Sequence, residues 1–182
     1  ILVDSSNPVA PAFRDDSAGD WAILDSTRNP LNNVQKMLRA QGSDAENDTN
    51  NSFTTEFTDT GFQCKADNGY FNASGGTYIY MAFAGGMDSI SDYNDTGSID
   101  SRVKASTTYG QSIVTAKMPS SGTGVSMGHG LNSKPDMIIL KSRSETAPWY
   151  VWHKDLDSET QSFLKLNEPD SYTGNTSVWN NT

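Results

Sequence analysis

The stretch "NASGGTYIYMAFAGG", residues 72–86, decides the fold class. Tyr78, Tyr80, Ala82 and Ala84 alternate with Ile79, Met81 and Phe83. That period of two puts successive side chains on opposite faces of a strand. Both faces are apolar, which predicts a central strand with Ile79 and Phe83 buried. The glycine pairs at either end, Gly75-Gly76 and Gly85-Gly86, supply the backbone freedom of turns. The segment is scaffold, and its meaning comes from what surrounds it.

Outward from it, short alternating apolar runs recur between Gly, Pro, Asn, Asp and Ser, and helical periodicity is nearly absent. The chain therefore reads as all-β, a β-sandwich or jelly-roll-like fold. Strands are expected at 1–4, 21–25, 34–39, 53–57, 62–65, 77–84, 111–117, 125–129, 136–141, 149–153 and 163–166. Only 32–40, "NNVQKMLRA", could be argued as a short helix.

The two halves are related, which predicts tandem units: a first β repeat over 1–86, a polar linker over 87–100 and a second β repeat over 101–182. A shift of 128 positions carries Trp21 to Trp149, Leu38 to Leu166, Ser43 to Ser171 and Asn47 to Asn175, and lays "WAIL" over "WYVW". Upstream, Ile1-Leu2-Val3 matches the run at Ile138 if the first copy holds a loop about nine residues longer, as loops tolerate. The sequence begins without methionine and stops after the apolar pair Val178-Trp179, so a segment of a longer protein is expected. Each copy lacks what the other retains. The gap is filled either internally, with 53–84 completing a sheet with 111–117 and 125–140, or by neighbouring chains.

Thirteen Lys and Arg against 22 Asp and Glu give a net charge of -9, which repels a phosphate backbone and argues against nucleic acid or an anionic membrane as partner. No apolar run approaches the roughly 20 residues of a membrane helix, so no membrane insertion is expected. With Cys64 the only cysteine, no intrachain disulfide can form, which suits assembly in a reducing cytoplasm. Asn47, Asn50, Asn72, Asn94, Asn175 and Asn180 begin N-x-S/T matches, read here as polar loops of an Asn-rich chain.

Residues 21–47, "WAILDSTRNPLNNVQKMLRAQGSDAEN", followed by 57–86, "FTDTGFQCKADNGYFNASGGTYIYMAFAGG", resemble a repeat of tailed-bacteriophage virion proteins, the tail fibres and related appendages of marine phages. In that pattern a Trp strand runs into D-x-x-R, then L-x-A-x-x-S-x-A-E, a G-F strand and an Asn-Ala-Ser-Gly-Gly-Thr-Tyr entry to an aromatic strand. Trp21, Asp25, Arg28, Leu38, Ser43, Ala45, Glu46, Gly61, Phe62 and the 72–84 run stand in those places. The second half, with its G-H-G-L, Pro and I-I-L-K run, resembles a sister form. The resemblance implies a β-rich structural module of a virion, assembled in the bacterial cytoplasm. Its implied partners are other virion chains, including copies of this one, and it implies no enzymatic activity.

The residues themselves offer little chemistry. His129 sits between glycines and His153 ends a strand; both read as structural hydrogen-bonders, and their spacing suits no metal pair. No G-x-S-x-G elbow appears, and Cys64 lacks a basic neighbour on its own face. Asp88, Asp92, Asp95 and Asp100 do not follow the calcium-loop spacing and read as a solvated connector. No catalytic residue, cofactor or metal is expected. The rival to a structural role is a carbohydrate-binding adhesin that recognises host surface glycan by stacking sugars on exposed aromatics. Trp149 shares its repeat position with Trp21 and reads as core. Tyr150 and Trp152, facing the other way, and Trp179 are the candidate contacts with glycan or protein.

Overall fold

The computed structural model describes residues 12–14, 21–30, 34–48, 55–64, 72–82, 93–120, 124–156, 162–169 and 173–174. Among them the chain is all-β, with no helix. The first half supplies β1 (Ala12–Arg14), β2 (Ala22–Ile23), β3 (Lys36–Arg39), β4 (Asn47–Asp48), β5 (Thr55–Thr58), β6 (Gly61–Cys64) and β7 (Tyr78–Tyr80). The second supplies β8 (Tyr93–Asn94), β9 (Ser101–Ser106), β10 (Gln111–Ala116), β11 (Met137–Leu140), β12 (Tyr150–His153), β13 (Ser162–Lys165) and β14 (Thr173–Gly174).

In the first unit the sheet order is β4-β3-β2-β1-β7, with the hairpin β5-β6 beside it and Val34 bridged to Thr55. Ala22, Leu24, Val34, Met37 and Phe57 make the core, and Phe62, Cys64 and Tyr78 pack against it. The segment that could have been helical is β3, because ladders to β2 and β4 claim its backbone on both sides and Met37 and Leu38 are buried. In the second unit β11-β12-β13-β14 form one sheet and β10-β9-β8 another. Val103 and Ala105 of β9 are buried under Gly130, whose φ is 68°; a Cβ there would lie 3.0 Å from both side chains.

The repeat is visible strand by strand. Ala22 faces Arg39 as Tyr150 faces Lys165, and Met37 faces Asn47 as Phe163 faces Thr173. Backbone partners repeat too. Trp21 N–H donates to Gln41 Oε1 at 3.0 Å and Trp149 N–H to Asn167 Oδ1 at 2.8 Å. Ala40 N–H donates to the Trp21 carbonyl as Leu166 N–H does to that of Trp149. These pairs correct the constant shift: it is 128 in the tryptophan strands but 126 after the following connection. Leu38 therefore corresponds to Leu164, not Leu166. Likewise the neighbour of the Trp21 strand is β1, where Ala12 faces Ala22 as Leu140 faces Tyr150, so no longer first-copy loop is needed. Residues 1–4 lie outside the described residues.

Three further expectations differ from the structure. First, among the described residues β7 is an edge strand: Ile79 is 52% and Tyr80 61% exposed, and Met81 is exposed as well. Alternation reports two apolar faces but not whether anything covers the second. Phe83 lies outside the described residues. Second, among the described residues no strand pairing joins the halves, since β5 pairs with β6, β7 with β1 and β10 with β9. Among the described residues, the single sandwich completed from 53–84 is not formed. Third, residues 93–100 belong to the second unit, where β8 pairs with β9 and Gly97 bridges to Met127. Ser98 and Ser126 exchange backbone and hydroxyl hydrogen bonds of 2.9–3.1 Å. Gly97 holds a φ of 116°, and a Cβ on it would sit 2.6 Å from the Ser126 carbonyl oxygen.

Candidate functional site: the seam between the units

Among the described residues, a polar constellation lies where the two units meet. It starts at the turn after β2, where Asp25, Ser26, Thr27 and Arg28 are all buried. The Arg28 backbone N–H donates to Asp25 Oδ1 at 2.8 Å, and its Nε bonds the other carboxylate oxygen. Its Nη2 donates to the Ile23 carbonyl at 2.9 Å and its Nη1 to Glu46 Oε2 at 3.0 Å. The guanidinium fork is thus satisfied within the first unit, as a buried charge must be.

Glu46, just before β4, carries the connection across. From the second unit Arg143 donates Nη2 to Glu46 Oε1 at 2.8 Å and Nε to Oε2 at 2.9 Å, a bidentate pair. Arg143 Nη1 turns to Thr115 Oγ1 of β10 at 2.6 Å. The backbones join as well: Glu46 N–H donates to the Arg143 carbonyl and Ala147 N–H to the Ser43 carbonyl, both at 2.8 Å. Burial pushes the Glu46 carboxyl up, but the Arg143 hydrogen bonds and the charges of Arg28 and Arg143 outweigh it and hold the group below the ordinary carboxylate range.

Trp149 closes the other side of the seam. Its indole Nε1–H is shared between the carbonyls of Arg39, at 2.8 Å, and Gly42, at 3.1 Å, and the residue is buried. Lys141 Nζ donates to the Ser43 and Ser142 carbonyls at 3.2 and 2.8 Å. Burial moves its pKa down. Lys104 Nζ of β9 reaches Ser26 Oγ at 3.4 Å. An open recess lined by Met37, Arg39, Asp44 and Asn47 flanks Glu46. Across the seam the charges of Glu46, Arg28 and Arg143 satisfy one another. Its chemistry is that of a lock.

The aromatics expected at a contact surface are placed otherwise. Trp152 is 4% exposed, with Lys134 Nζ 5.8 Å above its ring, and it holds the position that Leu24 holds in the first core. It is therefore a core residue and presents no face to a sugar. Tyr150 is half-buried, edge-on to the buried Phe163 at 5.1 Å. Trp179 lies outside the described residues. Trp149 is buried as expected, but against the other unit, while Trp21 is half-buried.

His129 Nδ1 accepts from Leu131 N–H at 3.0 Å and His153 Nδ1 from Asp155 N–H at 3.2 Å. Burial raises the Cys64 thiol above its ordinary range. Among the described residues no three His, Cys, Asp or Glu side chains gather around a metal position. Asp95 and Asp100 are exposed; Asp88 and Asp92 lie outside the described residues.

No curated protein and no solved structure matches the chain. One family profile, described as "Domain of unknown function (DUF7483)", matches it twice, over residues 12–86 and 88–182. The two matches divide the chain at the strand-by-strand repeat, and the chain belongs to that family as two tandem copies of its domain.

Proposed function

We propose that the chain is a structural module of a bacteriophage virion, part of a tail fibre or similar appendage, that works by rigid display and assembly for host attachment. The observation that carries the reading is the seam. A bidentate Arg143–Glu46 pair, backed by the buried Arg28 and by the Trp149 indole, holds two β units in one orientation. Such a joint transmits force and spacing, which a fibre needs and a free-standing binding module does not. The resemblance of residues 21–86 to the tail-fibre repeat points the same way. The carbohydrate-binding alternative loses support with the burial of Trp152, since a sugar platform needs an exposed ring.

Two measurements test this. Antibodies raised against the 182-residue chain are expected to decorate an appendage of the tailed-phage particles that encode it, seen by electron microscopy. On a glycan array the chain alone is expected to bind nothing selectively. Absence of the antigen from purified particles overturns the virion role, and selective glycan binding with unlabelled appendages transfers the function to the adhesin.

A further inference from the structure

Each unit buries apolar side chains of its own. The first core, Ala22, Leu24, Val34, Met37 and Phe57, draws only on the first unit, and Trp152 and Phe163 are buried in the second. Among the described residues no sheet spans the two. They meet chiefly through two connections, 39–46 between β3 and β4 and 141–149 between β11 and β12, with the 3.4 Å contact of Lys104 and Ser26 beside them. Glu46 N–H reaches the Arg143 carbonyl and Ala147 N–H the Ser43 carbonyl, so the connections run antiparallel without joining either unit's sheets.

The charged groups of this contact are satisfied twice, across the seam and on their own side of it. Glu46 accepts from Arg143, and within the first unit it also accepts from Arg28 Nη1 at 3.0 Å. Arg143 donates to Glu46, while its Nη1 is held by Thr115 Oγ1 at 2.6 Å within the second unit. Lys141 Nζ donates across to the Ser43 carbonyl and, on its own side, to the Ser142 and Glu145 carbonyls at 2.8 and 3.5 Å. Parting the connections therefore leaves no buried charge without a partner, which is what makes the breaking of a buried ion pair costly. The groups that lose a partner altogether are backbone N–H and C=O groups and the Trp149 indole N–H, and water replaces those bonds at a modest net cost.

We propose that the seam is a releasable clasp: it opens while both units stay folded, and it recloses on the same partners. Opening costs less than unfolding either unit, because the cores and strand ladders remain intact and only polar contacts are exchanged for water. Closed at rest, the clasp fixes the orientation of the units; under load it yields before a unit does. The inference rests on the geometry of the seam and stands apart from the virion role, since a protein of any location with this joint would open in the same way.

Residue-resolved hydrogen exchange, followed by NMR on the 182-residue chain, is the test. The amides of Glu46 and Ala147 are bonded across the seam, whereas Val34 N–H is bonded to the Thr55 carbonyl at 2.8 Å inside the first unit and Leu166 N–H to the Trp149 carbonyl at 3.0 Å inside the second. Glu46 and Ala147 are expected to share one protection factor, at least about tenfold below those of Val34 and Leu166. Arg143→Ala is expected to lower protection at Glu46 and Ala147 by a common factor of about ten. Phe57→Ala, in the first core, is expected to lower protection at Val34 at least about tenfold and to leave Glu46 and Ala147 within about twofold, because that unit is folded whether the clasp is closed or open. Phe57→Leu takes its place if the alanine variant does not fold. Glu46 and Ala147 amides as protected as Val34 and Leu166, protection lost at all of them together in the Phe57 variant, or unequal losses at Glu46 and Ala147 in Arg143→Ala overturns the proposal.

Discussion

Arg143 and Glu46, 97 residues apart in sequence, meet through two parallel hydrogen bonds of 2.8 and 2.9 Å. Arg28 approaches the same carboxylate from within the first unit and is the more deeply buried of the two arginines. Its removal leaves both Asp25 and Glu46 buried with a lost counter-charge. Arg28→Ala is therefore expected to cost about 3–5 kcal/mol in denaturant unfolding. Arg143→Ala leaves Glu46 still paired with Arg28 and is expected to cost only about 1–2 kcal/mol. The reverse order would mean that the seam, not the first unit, organises the network.

Acid should open the same joint. Glu46 is held below its ordinary range in the folded chain, so its contribution is complete above the unfolded value, about 4.3, and disappears as pH falls through the lower folded value. Urea midpoints measured from pH 6 down to 2 should fall on the acid side, and Glu46→Gln should flatten that fall while lowering stability at neutral pH. An identical acid limb in the two proteins would assign the pH dependence to other carboxylates.

Trp149→Phe keeps a ring in the seam and deletes the indole N–H shared by the Arg39 and Gly42 carbonyls. The expected loss is about 1–3 kcal/mol, because two part-buried carbonyls lose a donor. Trp152→Ala, in the second core, should cost about 3–5 kcal/mol. A cost under about 1 kcal/mol for Trp152→Ala would return that ring to the surface.

Phe57 and Ile79 are both large apolar residues of β-strands in the first unit, at 2% and 52% exposure. Thermal unfolding of Phe57→Ala should report a loss of about 3–5 kcal/mol. Ile79→Ala, measured at a concentration where the chain is monomeric, should stay within about 1 kcal/mol of the parent.

Gly97→Ala tests whether residues 93–100 are part of the second unit. The added methyl would collide with the Ser126 backbone at a φ that L-residues rarely adopt, so a loss of about 1–3 kcal/mol is expected. A connector outside the fold would accept alanine without measurable change.

Fold class and repeat were legible because alternation and turn residues are local, and most expected strands appear within a few residues of their places. β9 escaped because in its pattern, Ser-Arg-Val-Lys-Ala-Ser, the buried residues are Val103, Ala105 and two serines, too little apolar volume to stand out. β7 was read as central because nothing local distinguishes a covered face from a bare one. The two-residue change in spacing between copies was hidden by chance matches such as Leu38 with Leu166. Asp25, Arg28 and Glu46 stood out as places in a resemblance, yet their shared carboxylate and guanidinium contacts, and the role of Arg143, come from distant loops meeting.

Asp25 and Arg28 have His153 and Leu156 at their counterpart positions in the second copy, and Arg143 has Asp15 at its own in the first. The duplicated scaffold thus carries a joint that is not duplicated: one copy supplies the acid and the buried arginine, the other the bridging arginine and the indole. Exchanging the order of the copies would bring His153 and Leu156 to the place of the carboxylate-binding turn. The tandem has a head and a tail written into its side chains, so a linear array built from it would inherit a direction even though strand pairings recur in both copies.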